Sequence, residues 1–275
     1  MHAHEKEQTF YFSGWHMGHH EIARLPTSQR WRVVVDLLNA PRLDAPSVAG
    51  AVTLAAERRL QALSNDPSLT YCFWLLTRLA AAARGPDFVA EVAQLGIRAR
   101  SDDTALRFLA RVADHTREQL GAFPESGPFG EIAAVALREA LKETVGTQGR
   151  TLFGSSLEDL VTAFRRYATP TQFGDLAHRF FASFMGQTLR YYVDRELPHT
   201  VGSASLPYID DAGDFARALD LHARQLARVV ENFAVGWYSK RNWERMGAIG
   251  PDDAEGFVHH ALPKLRGAIV REAAR

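Results

Sequence analysis

Three imidazoles stand out among the side chains able to do chemistry. In the stretch WHMGHH, His16, His19 and His20 lie three and four positions apart, a spacing that gathers side chains on one helical face. Neutral imidazole is the commonest metal ligand. The trio therefore describes a zinc or iron site completed by Glu21 or by a residue distant in sequence. Gly14 and Gly18 weaken a helix here, and the HExxH pattern is absent. A surface or partner-facing histidine cluster is the simpler expectation, with no resident cofactor. Zinc or iron belongs to the alternative, a metal-dependent enzyme.

A second constellation occupies residues 222–245. Arg224, Arg228, Lys240, Arg241 and Arg245 face only two acids there, Glu231 and Glu244, and Tyr238 and Trp243 sit among the last three cations. Cations interleaved with aromatic rings suit a nucleic acid, whose phosphates meet the charges while bases stack on the rings. They equally suit a protein partner that buries an aromatic anchor. Trp237 needs neither reading. Phe215, Leu219, His222, Leu226, Val229, Phe233 and Trp237 recur at helical spacing, which predicts one continuous buried stripe. Trp243 falls about 120° off that stripe. With Gly236 and the run Ser239-Lys240-Arg241-Asn242, it is expected on an irregular segment after the helix has ended.

Other combinations lose their chemistry on inspection. Glu196 and His199 have the letters of a di-iron Glu-x-x-His motif, but Pro198 interrupts the helix that motif needs and no second copy exists. Asp175 and His178 are an i,i+3 pair, with Phe180, Phe181 and Phe184 marking the buried side and His178 expected outward. GTQGRT lacks the GK[ST] of a phosphate loop, and neither G-x-G-x-x-G nor G-x-S-x-G occurs. The single cysteine, Cys72, leaves no internal disulfide and no Cys-based zinc site, and its apolar surroundings predict a buried structural thiol.

Helical periodicity supplies the elements that must position these groups. Helices are predicted at roughly 28–39, 46–64, 67–84, 86–96, 102–121, 129–145, 156–167, 170–196, 213–236 and 251–272. Asp66-Pro67, Thr169-Pro170 and Gly250-Pro251 place proline at a first helical position. Ser155 with Glu158 and Thr169 with Gln172 have capping-box spacing, and Pro263 is expected to kink or divide the last helix. The only strand-like run is 8–15, an extended arm whose Phe10, Phe12 and Trp15 would contact a partner. The expected fold is all-α: about ten helices in an irregular multi-helix bundle behind a short extended N-terminal arm. Its divisions are an arm at 1–25, a helical subdomain at 26–150 and a second at 151–275 packed on the first, or the two as one continuous domain.

Composition narrows the function. Basic and acidic residues balance at 32 each, which argues against a surface built wholly for nucleic acid or an anionic membrane. Of the 32 basic residues 28 are arginine, and their scatter along the chain reads as genomic bias, not as selection for bidentate contacts. The N-terminus lacks the apolar core of a secretory signal and no run is long enough to span a membrane, so a cytoplasmic protein is expected. With no assembled catalytic motif, the leading expectation is a non-catalytic adaptor or subunit of a larger assembly. It would bind another protein subunit, or a second copy of the chain, through the arm and the 237–245 segment. A nucleic-acid-binding helical protein using 224–245 is the alternative.

Overall fold

A computed structural model describes residues 28–146, 155–203, 205–245 and 248–275. Thirteen α-helices are formed among the described residues, with no strand beyond two isolated bridge pairs. They are α1 (Gln29–Leu38), α2 (Ala45–Ala55), α3 (Glu57–Ala62), α4 (Pro67–Ala82), α5 (Phe88–Gln94), α6 (Ala105–Leu120) and α7 (Pro128–Gly146). There follow α8 (Leu157–Tyr167), α9 (Pro170–Val193), α10 (Leu197–Thr200), α11 (Ile209–Leu226), α12 (Arg228–Glu244) and α13 (Pro251–Ala273). The fold is the all-α bundle that the periodicity predicts. None of the described helices is long and apolar enough to cross a membrane.

Two helices organise the rest. α4 starts where Asp66 accepts the Leu69 N–H at 3.0 Å and Pro67 opens the first turn. Leu69, Cys72, Phe73, Leu75, Leu76, Leu79 and Ala80 are all buried, so this helix is apolar nearly all round and runs through the interior. Phe73 is its centre: the ring stacks on Phe257 of α13 at 4.5 Å and meets Phe173, Phe180 and Phe181 of α9 and Trp237 of α12. α9, roughly 36 Å long at 1.5 Å per residue, packs against α7, α11 and α12. α13 packs on α2 and α4, so helices from both sides of residue 150 share one apolar cluster running from Trp31 to Ile269.

Close approaches are bought with missing side chains. A Cβ on Gly174 would stand 2.7 Å from Val235 and 3.0 Å from the Glu231 carbonyl, so α9 and α12 touch backbone to backbone. A Cβ on Gly50 would lie 2.2 Å from that of Ala273, which brings α2 equally near α13.

Several boundaries differ from the periodicity. The predicted helix 213–236 is two helices, broken at Ala227, and the buried stripe turns with the break. Below it Phe215, Leu219, His222 and Ala223 face inward; above it the buried residues are Val230, Ala234 and Tyr238, with Leu226, Val229, Phe233 and Trp237 packed half-buried beside them. Small residues set the centre of the stripe because α12 lies so close to α9. Gly236 does not end α12, since its α-carbon faces open space and the helix runs on to Glu244. The run 46–64 divides at Ala56, and Pro198 starts the short α10 instead of extending α9. The N-cap of α8 is Ser156, closed reciprocally by Asp159, one place beyond the predicted box. Thr169 turns its hydroxyl to the Arg166 carbonyl and caps nothing. Pro263 sits within an undivided α13. The predicted arm, 1–25, lies outside the described residues, as does most of the 146–155 junction.

Candidate functional site

The C-terminal end of α12 and the start of α13 form the corner that carries the aromatic-basic segment. Continuation of the helix to Glu244 puts Trp243 where helical phase requires, away from the buried stripe, and its side chain is 87% exposed. It is the most exposed large apolar residue among those described; Ile209 and Tyr208, at the start of α11, come next at 76% and 72%. Tyr238 does not join it. Its ring is fully buried and stacks on Phe173 at 4.1 Å, so it offers no face to a base or a partner. The expectation of a binding role for Tyr238 is corrected by its place on the α9-facing side of α12. Burial raises the Tyr238 pKa. The Arg84 guanidinium pulls it the other way, yet the hydroxyl has no well-formed hydrogen bond.

The cations of the segment are already engaged. Asp253, 7% exposed in the first turn of α13, accepts the Gly250 N–H at 3.1 Å. Its oxygens lie 3.4 Å from Arg241 Nε and 3.3 Å from Arg245 Nε. Glu244 takes Arg241 Nη1 at 2.8 Å and Lys240 Nζ at 3.8 Å. One buried and one exposed carboxylate thus neutralise much of the charge around Trp243. The buried member matters more, since Asp253 would be an uncompensated charge without its arginines.

Arg224 belongs to a different surface. It forks onto Glu143 of α7, with Nη2 to Oε1 at 2.7 Å, across the cleft where α7, α9 and α11 meet. Arg179 joins the same carboxylate at 3.2 Å and holds Asp175 at 2.9 Å. Arg190 lies 3.2 Å from Asp220, and Gly186 leaves the room that Asp220 fills. The space left, about 280 Å³, is lined by Glu139, Glu143, Ser183, Gln187, Arg190 and Arg224, among others. Burial would raise the Glu143 pKa, but the Arg224 hydrogen bond and the charges of Arg224 and Arg179 outweigh it and leave the carboxyl below its ordinary value. Burial wins at Asp220, whose pKa is raised despite Arg190 and Arg224. His178, expected outward, is buried, with Nε2 2.7 Å from the Arg224 carbonyl. A network with its charges matched this way stitches three helices together.

Arg228, at the first position of α12, is exposed, on the far side of the Ala227 break from Arg224. Of the predicted patch 224–245, Arg224 is held on Glu143, Tyr238 is buried, and Arg228 and Trp243 are exposed. His16, His19 and His20 lie outside the described residues, as do Phe10, Phe12 and Trp15. Among the described residues no three His, Cys, Asp or Glu side chains are grouped to hold a metal. Cys72 is buried and free, its thiol pKa pushed up by that burial. Compared with family models, curated proteins and solved structures, the chain matches none.

Sequence reasoning singles out Arg224 for another role and Asp175 for a pair with His178, while Glu143, Arg179, Arg190 and Asp220 escape it because each is an ordinary charged residue on a helix. Asp175 and Arg179 at i,i+4 were the one local signal; Glu143 and Asp220 are brought in only by the packing.

Proposed function

We propose that this chain is a helical adaptor or non-catalytic subunit that engages another protein through the end of α12, with Trp243 as the anchor. The supporting observation is Trp243 itself, 87% exposed on an ordered helix. Leaving an indole in water forgoes roughly 2–3 kcal/mol of burial, and tryptophan is the residue most enriched where partners concentrate their binding energy. The neighbouring charge pattern favours a protein over a nucleic acid. Arg241 and Arg245 are held on Asp253 and Lys240 faces Glu244, so a polyanion would have to compete with carboxylates already in place.

The experiment is affinity purification of the tagged chain from its native cells, after nuclease treatment, beside Trp243→Ala. A stoichiometric protein that accompanies the native chain and is lost from the variant is the expected result. The same partner retained by Trp243→Ala contradicts the anchor. Material released by nuclease and insensitive to Trp243 would point to nucleic acid. A second variant replacing Phe10, Phe12 and Trp15 with alanine reads the contribution of the arm in the same assay.

A further inference from the structure

A cleft of about 590 Å³ opens beside this corner, between the C-terminal end of α4, the start of α5 and the end of α12, lined by Arg78, Arg84, Gly85, Glu91, Asn242 and Ala248, among others. Its volume is that of a small-molecule site, and it is lined by two arginines that the fold leaves without a carboxylate. Among the described residues neither Arg78 nor Arg84 has a carboxylate within ion-pair distance, and the Asn242 amide has no hydrogen-bond partner. Glu91, packed over Gly85 with Cγ 3.2 Å from where a Cβ would be, shares the cleft without pairing to either arginine. Behind Arg84 lies the buried Tyr238 hydroxyl, which the guanidinium faces without a well-formed hydrogen bond.

Helix capping does not account for these arginines, although cations are favoured at a helix C-terminus. The last carbonyls of α4 are already taken: Ala81 by the Arg84 N–H at 3.0 Å, Ala82 by the Gly85 N–H at 3.0 Å, and Ala83 by Arg165 Nε at 2.9 Å. Both guanidiniums therefore remain available, Arg78 half-buried and Arg84 exposed. We propose that this cleft binds a small phosphate-bearing molecule, its oxyanion held by Arg78, Arg84 and the Asn242 amide. Glu91 accepts a hydrogen bond from a hydroxyl or amino group of the same ligand. Guanidinium forks match phosphate oxygens in geometry and charge, and one carboxylate against two guanidiniums leaves a net attraction for an anion. The site is independent of Trp243, which does not line it.

The test is calorimetric titration of the full chain with inorganic pyrophosphate at low ionic strength. Saturable one-site binding is expected, weakened about tenfold or more by Arg78→Gln or Arg84→Gln and unchanged by Trp243→Ala or by Arg217→Gln, a remote exposed arginine. Glu91→Gln is expected to tighten pyrophosphate, because it removes the one opposing charge, a sign that a merely structural role would not produce. Circular dichroism and the unliganded Tm establish that each variant is folded, and Asn242→Ala serves if either arginine variant is not. No saturable binding by the native chain, or equal affinity in folded Arg78→Gln and Arg84→Gln, overturns the proposal.

Discussion

Two arginine clusters of the same chain are treated in opposite ways. Between α7, α9 and α11, Arg179, Arg190 and Arg224 each meet a carboxylate within 3.3 Å, and Glu143 is shared by two of them. Between α4, α5 and α12, Arg78 and Arg84 meet none among the described residues, in a cleft twice as large. The difference separates charge that the fold pairs for itself from charge that it leaves open. The arginines and carboxylates of the first cluster compensate one another within the fold. Charge left uncompensated beside open space is available to something that arrives from outside.

Substitutions can break this contrast from either side. Removing Arg179, only 16% exposed at its side chain, should do the most damage: Arg179→Ala leaves Glu143 and Asp175 partly buried and short of a cation, for a loss of about 2–3 kcal/mol in urea unfolding. Arg78→Gln should change stability by no more than about 0.5 kcal/mol. Equal losses in the two variants would abolish the distinction.

Protonation separates the carboxylates of the first cluster. Glu143 has its pKa depressed by Arg224 and Arg179, so its stabilisation is fully present above the ordinary glutamate value and fades as pH falls through the lower folded value. The stability advantage of the native chain over Glu143→Gln should shrink below about pH 4.3. Asp220 has its pKa raised by burial, so its charged form is a burden that acid relieves. Relative to Asp220→Asn, the native chain should gain as pH falls from the raised folded pKa toward the ordinary aspartate value. Unfolding free energies of the three proteins across pH 3–7 read both slopes, and the prediction is that they have opposite sign.

Smaller effects are expected around α12. Tyr238→Phe removes a buried hydroxyl without a hydrogen-bond partner and keeps the stack on Phe173, so its Tm should be unchanged or slightly higher, by a gain of up to about 1 kcal/mol. Trp243→Ala should leave the stability of the isolated chain within about 0.5 kcal/mol, because so little of the indole is buried.

How much of this was legible in the sequence depended on how local each cause is. Proline at the first position of α4, α9 and α13, and the apolar run of α4, announced helix and interior together. Ala223, Ala227 and Ala234 did not, because alanine carries little hydrophobic signal. Periodicity therefore draws the stripe through Leu226, Val229 and Phe233, one position off, and leaves Tyr238 outside it. The close approach of α12 to the bare backbone of Gly174 on α9 involves a partner distant in sequence. The aromatic-basic segment was legible as composition, and phase correctly set Trp243 off the stripe. That its cations are held by Asp253 was not legible, since it depends on where α13 begins its first turn. Arg78 and Arg84 carried no signal at all, because a missing partner is a property of the packed molecule.

The claim on which the account rests is that the exposed indole is a contact surface. Its most direct measurement places a photo-cross-linking amino acid at position 243, with position 217 on α11 as the control, and irradiates the native cells. The account predicts one discrete protein adduct at 243 that is absent at 217. Identical adduct patterns at both positions, or none at 243, would contradict it.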